Sequence, residues 1–224
     1  MLNRRQLLGG LVAVGASGCA NNPDSTLNLF TKTVTGNVRS SSDYPLSAAQ
    51  IHDLPYATLG VRVGDNPRAV MVLATVDGTL LQWVSADHVI FETEGGRLLR
   101  TRGLKRDLVD TRWTTATAED PLAHLASTGT LPARGVYREI DVGKERAVAV
   151  ESHFKLRGVE TISIQGRQRT VHRVEEIAIV RDWRWETRNN FWFDAQSARV
   201  WRSSQQYCPE LPPVELELLK PLAA

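Results

Sequence analysis

The 224-residue sequence contains only two cysteines, Cys19 and Cys208, and this scarcity excludes several classes of protein. A disulfide framework needs several paired cysteines, and structural zinc sites or haem attachment need paired spacings that are missing here. Cys208 has no neighbouring histidine to lower the pKa of its thiol, so we interpret it as a small buried apolar residue, with a redox or nucleophilic role as the alternative. The sequence indicates no metal and no cofactor.

The sequence also lacks an excess of charge of either sign. Lys and Arg number 27 and Asp and Glu number 25, and residues 1–18 hold two arginines and no acid, so the remainder carries 25 of each. A protein that binds nucleic acid needs a concentrated basic footprint to neutralise phosphates. We find no such footprint and exclude nucleic acid as a partner.

Common catalytic motifs are missing as well. The sequence has neither a Gly-x-Ser-x-Gly elbow nor a glycine-rich phosphate loop. The five histidines lack the i, i+4 spacing of a metal site: His52, His88, His124, His153 and His172. The strongest enzymatic alternative is a glycan hydrolase that uses two carboxylates from Glu175, Glu176 and Asp182. Because adjacent residues of a strand point to opposite faces, the two glutamates are a poor catalytic pair, and the sequence favours a protein that is not an enzyme.

No apolar run near the N-terminus is long enough to form a permanent membrane span. The run Leu7–Ala16 follows Arg4 and Arg5 and has about half of the ~20 residues that a transmembrane helix needs. This arrangement is typical of a secretory signal, of either the twin-arginine or the general type. Ala16-Ser17-Gly18-Cys19 resembles the bacterial lipobox, in which cleavage leaves the cysteine first and its sulfur carries diacylglycerol. A buried N-terminal helix with an incidental cysteine is the alternative.

We therefore expect three parts in the chain. Residues 1–18 are predicted to be a lipoprotein signal peptide, 19–43 a lipidated N-terminus and polar tether, and 44–224 a single domain. Several acyl chains at Cys19, palmitate among them, would hold the protein on a membrane, since each buried methylene contributes about 0.8 kcal/mol. No aspartate follows Cys19 to favour retention on the inner membrane, so the expected location is the periplasmic face of the outer membrane.

The pattern of the domain predicts β-strands. From Tyr56 onward, β-branched and aromatic residues recur in short runs with a period of two, separated by turn residues. Asp77-Gly78 and Gly95-Gly96 predict hairpins. Further turns are expected at Gly143, Gly158, Gly166, Asn189-Asn190 and Asp194. We predict an all-β fold of about ten antiparallel strands, a curled sandwich or barrel, with one short helix near residues 119–127. Similar patterns after Trp83 and Trp192 also suggest an internal duplication.

Aromatic and basic residues are the candidates for a binding surface. Trp183 and Trp185 are placed on one face of a strand, Trp192 on the following strand and Trp201 on the next. Aromatic rings beside polar donors often bind sugars, and nearby arginines would suit acidic sugars: Arg181, Arg184 and Arg188. Core packing is the simpler and favoured interpretation of these tryptophans. A basic stripe is interpreted as a solvated strand edge that blocks strand addition: Arg97, Arg100, Arg102, Lys105 and Arg106.

Four stretches carry a family resemblance: LPYATLGV at 54–61, VLATVDG at 72–78, RLLRTRGL at 97–104 and FWFDAQSARVWRSSQQYCPELPPVELELLKP at 191–221. They resemble the YjbF/GfcB family of bacterial lipoproteins, also called YmcC-like. The resemblance implies an all-β lipoprotein from gene clusters for secreted exopolysaccharide or group 4 capsule, without an established enzymatic activity. Only Cys19 carries over with a known role, as the lipid attachment site, and Ala16 departs from the usual lipobox leucine.

These observations lead to one expected function and two alternatives. We expect an accessory, non-catalytic lipoprotein whose partners are the membrane, through its lipid, and other exopolysaccharide export proteins. The first alternative is a direct glycan-binding module that uses the tryptophan strands. The second is a glycan-processing hydrolase.

Overall fold

Twelve strands and two short helices form the part of the chain that the structure, a computed structural model, describes, residues 44–114 and 120–222. The helices are α1 (Ala48–Asp53) and α2 (Pro121–Thr128). The strands are β1 (Thr58–Val63), β2 (Ala69–Asp77), β3 (Leu80–Ser85), β4 (Ile90–Glu94), β5 (Arg97–Arg102), β6 (Leu108–Trp113), β7 (Val136–Val142), β8 (Glu145–Ile164), β9 (Arg167–Val180), β10 (Trp185–Phe193), β11 (Val200–Gln205) and β12 (Val214–Lys220).

All twelve strands belong to one antiparallel sheet, in the order β5-β4-β3-β2-β1-β12-β11-β10-β9-β8-β7-β6. Its end strands come together: Thr111 Oγ1 in β6 donates to the carbonyl of Leu99 in β5 at 3.0 Å, and the backbone N–H of Leu108 donates to Thr101 Oγ1 at 2.9 Å. The sheet is therefore a nearly closed barrel. The all-β prediction is confirmed, and the strands beyond the expected ten are β6 and β12. The internal duplication stays a prediction.

The main core fills the barrel. Because side chains alternate between the faces of a strand, one residue in two points inward, and Phe91, Met71 and Leu108 are among the most deeply buried of the main core. Cys208 belongs to this core and is fully buried, which confirms the prediction of a small buried residue. Burial raises the pKa of its thiol and so makes the thiolate scarce.

The helices form where local capping signals occur. Asp120 caps α2, since its side chain accepts the backbone N–H of Leu122 at 2.8 Å, Pro121 occupies the first turn, and Gly129 ends the helix with a φ of +73°. This helix confirms the prediction near 119–127. The sequence reasoning missed α1, whose signal is the reciprocal capping pair of Ser47 and Gln50.

Two predicted turns are wrong. Gly158 lies inside β8, where its φ of +122° accommodates a register shift next to Leu156, so the strand bends without ending. Asn189 and Asn190 lie inside β10, paired with β9 residues on one side and close to β11 on the other. The turn between β9 and β10 is instead formed by residues 181–184, where Arg184 has a φ of +49°.

Candidate functional site

The four candidate tryptophans form two separate groups. Trp183 lies in the turn before β10, not in a strand, and Trp185 is the first residue of β10. Trp192 lies in that same strand, so the prediction that it belongs to the following strand is wrong. Trp185 and Trp192 are seven residues apart in a regular stretch and therefore point to opposite faces. No single surface can contain all four rings.

Trp183 and Trp185 pack against the barrel core. Their ring centroids are 6.3 Å apart at an interplanar angle of 55°, and both rings are partly buried beside the core cluster. Trp183 Nε1 donates to Glu145 Oε2 at 2.7 Å. The protein itself engages these two rings, as the core-packing interpretation expects.

Trp192 and Trp201 lie beneath the end of the long β8–β9 hairpin. Together with Ile162, Ile164 and Val171 they form a small apolar cluster outside the main core. Trp201 is only 6% exposed, so its ring is not a free platform for a sugar. The indole N–H of Trp192 is buried and has no hydrogen-bond partner among the described residues.

Two arginines lie over Trp201, Arg169 near the start of β9 and Arg199 just before β11, and Arg167 at the start of β9 acts on Arg169 through its charge. The guanidinium carbon of Arg169 lies 3.4 Å from the Trp201 ring centroid, and that of Arg199 lies 5.4 Å from it. Desolvation, followed by the charges of Arg167 and Arg199, lowers the pKa of Arg169. Its Nε is buried without an acceptor in the part of the chain that the structure describes. These residues are called the Trp201 arginine cluster below.

A second charged group, centred on Glu176, is closed off inside the barrel. The carboxylate of Glu176 is fully buried and accepts hydrogen bonds from Arg97 Nη1 at 2.9 Å, Asn189 Nδ2 at 3.0 Å and Ser152 Oγ at 2.8 Å, together with one from Arg138. Asp120 binds Arg97 from the other side while it caps α2. These residues are called the Glu176 cluster: Arg97, Asp120, Arg138, Ser152, Glu176 and Asn189.

The Glu176 cluster joins elements that are far apart in the chain. Arg97 comes from β5, Arg138 from β7, Ser152 from β8 and Glu176 from β9, so the cluster ties the two ends of the sheet together. Desolvation alone would raise the pKa of Glu176, but the charges of Arg138 and Arg97 outweigh it and hold this pKa well below its usual range. Glu176 is therefore ionised at neutral pH.

The carboxylates proposed for a hydrolase do not share a cleft. Glu176 faces the interior and is fully engaged, whereas Glu175 points to the opposite face and pairs with Arg157. Asp182 is exposed in the turn before β10. A glycosidase needs two carboxylates about 5–10 Å apart on either side of a sugar, and these three do not provide that arrangement.

The predicted basic stripe is not a free edge. Arg97 is only 2% exposed and belongs to the Glu176 cluster, which corrects the interpretation of this residue as solvated. Arg100 forms ion pairs of 2.8 Å with Glu92 and with Asp110 across the β5–β6 seam. Arg106 pairs with Glu145 and Glu210, while Arg102 and Lys105 are exposed. The stripe lies along the seam where the barrel closes, because β6 covers the edge that β5 would otherwise present.

Two cavities open along the inward face of β1. One, of about 280 Å³, lies beside Leu59 and has Arg199, Trp201 and Arg202 in its lining. The other, of about 500 Å³, lies beside Val61 and Val63 and is mainly apolar. Of the Trp201 arginine cluster, Arg199 lines the first cavity together with Trp201 itself.

The remaining candidates are placed as follows. Cys19 and the residues assigned to the signal peptide and tether lie outside the described residues. Within residues 44–114 and 120–222, no three His, Cys, Asp or Glu side chains come together as a metal site requires. Neither described helix is long and apolar enough to cross a bilayer.

The comparisons with known proteins add the family. A profile described as "Group 4 capsule polysaccharide lipoprotein gfcB, YjbF" matches residues 30–219. The chain belongs to this family. The family resemblance noted in the sequence is thereby confirmed, and the matched region begins at Phe30, within the segment assigned to the tether.

Two lipoproteins of Escherichia coli K12 are similar over most of their length. This chain is 28% identical to the one named GfcB over 221 residues, which covers 97% of this chain and 99% of GfcB. It is 25% identical to the one named YjbF over 181 residues, which covers 78% of this chain and 80% of YjbF.

A solved structure supports the fold. The crystal structure of the hypothetical lipoprotein YmcC of Escherichia coli K12 matches with a TM-score of 0.67 and 24% identity, and covers 89% of this chain and 98% of that one. At this identity the likeness concerns the fold, and the chemistry of individual residues must come from this chain.

Proposed function

We propose that this protein is a non-catalytic accessory lipoprotein that supports the assembly or export of a capsule or exopolysaccharide. The observation that carries the proposal is family membership over residues 30–219, since the family is described as capsule polysaccharide lipoproteins. The interior supports the non-catalytic part, because Glu176 is engaged by four donors and closed off from solvent.

The proposed location is the periplasmic face of the outer membrane, with acyl chains on Cys19 as the anchor. Both Escherichia coli relatives are named as lipoproteins, and Ala16-Ser17-Gly18-Cys19 supplies the lipobox-like sequence. Cys19→Ala is expected to move the protein from the membrane fraction to the soluble fraction. Cys208→Ala is the matched control and should leave the protein on the membrane. A Cys19→Ala protein that stays on the membrane contradicts the anchor.

The proposed partners are other proteins of polysaccharide export. Affinity purification from detergent-solubilised membranes of the native host should recover them with the wild-type protein and much less with Cys19→Ala, which no longer shares their membrane. Recovery of the bare lipoprotein in several mild detergents would contradict the accessory function.

The hydrolase alternative has its own test. Incubation of the purified protein with polymer from the host should leave the chain-length distribution unchanged. Chain shortening that disappears in Asp182→Asn or Glu175→Gln would replace the proposed function with an enzymatic one.

A further inference from the structure

We propose that the Trp201 arginine cluster, Arg167, Arg169 and Arg199, binds the carboxylate groups of an acidic polysaccharide. The proposal rests on the proposed function for the choice of a polysaccharide. The presence of an anion site rests on the geometry of the cluster alone.

The first argument is the balance of charge around Trp201. The other arginines of this region have acidic partners: Arg202 binds Glu217 and Arg173 lies 3.0 Å from Glu160. The three arginines of the cluster have no ion pair among the described residues. Asp194 acts through its charge on both Arg169 and Arg199 but forms no ion pair with either, and its carboxylate accepts the backbone N–H groups of Gln196 and Ser197, both at 2.9 Å. One carboxylate therefore stands near three guanidinium groups.

Three neighbouring positive charges repel one another, so the free protein maintains an unfavourable arrangement. A bound anion removes that repulsion, and the gain is larger where the guanidinium groups are partly shielded from water. The buried Nε of Arg169, which lacks an acceptor in the described part of the chain, shows that this shielding is present. The site is therefore suited to an anion before any ligand arrives.

The second argument is the way the protein positions Arg169. Its guanidinium is stacked on Trp201, 3.4 Å from the ring centroid, and Trp201 is itself buried among Ile162, Ile164 and Val171. The Nε of Arg169 is buried, but its two Nη atoms are not among the buried unpaired atoms, so the edge that they form can bind a carboxylate with two parallel hydrogen bonds. Trp201 therefore acts as a support for the arginine and not as a stacking surface for a sugar.

The third argument is the layout of the cluster. Arg167 and Arg169 are two residues apart on β9 and therefore lie on the same face of the strand. Arg199 lies across from them, in the lining of the 280 Å³ cavity. The three arginines thus extend from the end of the β8–β9 hairpin to the cavity that Arg199 lines. A row of positive charges suits a chain that carries repeated acidic groups. A flat bilayer would have less access to Arg169, which is held against Trp201.

The test measures binding to sugar chains of known charge. Oligogalacturonate and hyaluronan oligosaccharides carry carboxylates, and dextran of similar length is the uncharged probe. The lipid-free protein, residues 20–224, is titrated with each probe by calorimetry. We expect binding of at least one acidic probe that weakens as salt is raised, and no binding of dextran.

Variants assign the binding to the cluster. Arg169→Gln and Arg199→Gln are each expected to weaken binding by about tenfold or more, the effect of losing a hydrogen-bonded charge partner. Arg134→Gln removes the same charge from the exposed loop before β7 and should leave the affinity within about twofold. Arg169→Lys should fall between wild type and Arg169→Gln, because the ammonium keeps the charge and loses the planar fork.

Several results would overturn the proposal: no binding of either acidic probe, equal binding of dextran, unchanged affinity in both Arg169→Gln and Arg199→Gln, or tighter binding to phosphatidylglycerol vesicles than to the acidic probes. Arg199 is exposed, so Arg199→Gln tests the site even if a substitution at Arg169 disturbs the packing around Trp201. Recovery of export proteins from membranes is a separate measurement, so the accessory function can hold while this site fails, and the reverse.

Discussion

Replacement of Glu176 by glutamine should reveal how strongly the Glu176 cluster holds the barrel together. The substitution keeps the shape of the side chain and one carbonyl oxygen but removes the negative charge that Arg97 and Arg138 share. Asp120 would then be the one carboxylate left in the cluster for two buried guanidinium groups. Removing one partner of a buried ion pair costs about 3–5 kcal/mol, because the remaining charge stays desolvated.

The expected loss is measured by urea unfolding. With a slope of about 2–3 kcal/mol/M, a loss of this size lowers the midpoint by about 1–2.5 M. Tryptophan fluorescence is a suitable signal because Trp113 lies beside the cluster, 5.3 Å from the guanidinium carbon of Arg97 and 5.5 Å from that of Arg138. Circular dichroism on the same samples checks that the folded state of Glu176→Gln keeps its β-structure.

Glu175→Gln is the matched control on the same strand. Glu175 lies on the opposite face and pairs with a single arginine, Arg157, whose side chain is 29% exposed. The charge that Glu175→Gln leaves behind can therefore reach water, and we expect a smaller loss than in Glu176→Gln, where two enclosed guanidinium groups lose their shared partner. A loss below about 1 kcal/mol in Glu176→Gln, or equal losses in the two variants, would refute the conclusion that the Glu176 cluster holds the barrel closed.

The pH dependence gives an independent check. The folded state holds the pKa of Glu176 below its ordinary value of 4.5, so the folded protein binds this proton less readily than the unfolded chain. Its contribution to stability is therefore complete above about pH 4.5 and is lost as the pH falls toward the lowered folded-state pKa. Glu176→Gln should show a shallower loss of unfolding free energy below pH 4.5 than wild type, and identical slopes would contradict the assignment.

Three further predictions concern other parts of the barrel. Asp120→Ala should lower the free energy of unfolding, measured with urea, by about 3 kcal/mol or more, because it removes both the α2 cap and a partner of Arg97. Ser47→Ala removes only the exposed α1 cap and should cost about 1 kcal/mol or less. Similar costs for the two variants would contradict the double role of Asp120. Gly60→Ala should cost about 1–3 kcal/mol, since its Cβ would lie 2.4 Å from Tyr44 Cε1, and the cost should largely vanish when it is measured in a Tyr44→Ala background. In a Cys19→Ala protein, Cys208 should react with a thiol reagent such as Ellman's reagent only as the barrel unfolds, and rapid labelling of the folded protein would show that the thiol is accessible.

Local signals in the sequence account for much of the fold. The hairpins at Asp77-Gly78 and Gly95-Gly96 and helix α2 after Asp120 were predictable, because each depends on backbone preferences within a few residues. The turns expected at Gly158 and Asn189-Asn190 were wrong because the same residue types also occur at bulges and inside paired strands. Pairing with neighbouring strands outweighed the local preference there.

The charged residues show the limit of sequence reasoning most clearly. Alternation along a strand was enough to predict that Glu175 and Glu176 face opposite sides. It did not indicate which side is the interior, so Arg97 was interpreted as solvated and the partners of Glu176 were missed. Alternation also places Arg167 and Arg169 together, but Arg199 joins them across 30 positions of the chain only through the fold.

The class of the protein follows from its amino-acid sequence: an all-β domain behind a lipobox-like segment, recognisable as a family member from its strand and tail motifs. These properties depend on residues that lie close together in the sequence, so they can be predicted without the fold. The pairing of β12 with β1, the closure of the sheet between β5 and β6 and the identity of the enclosed charges became clear only from the three-dimensional arrangement. Those outcomes depend on contacts between distant segments, where burial and pairing determine whether an arginine is enclosed, like Arg97, or exposed, like Arg199.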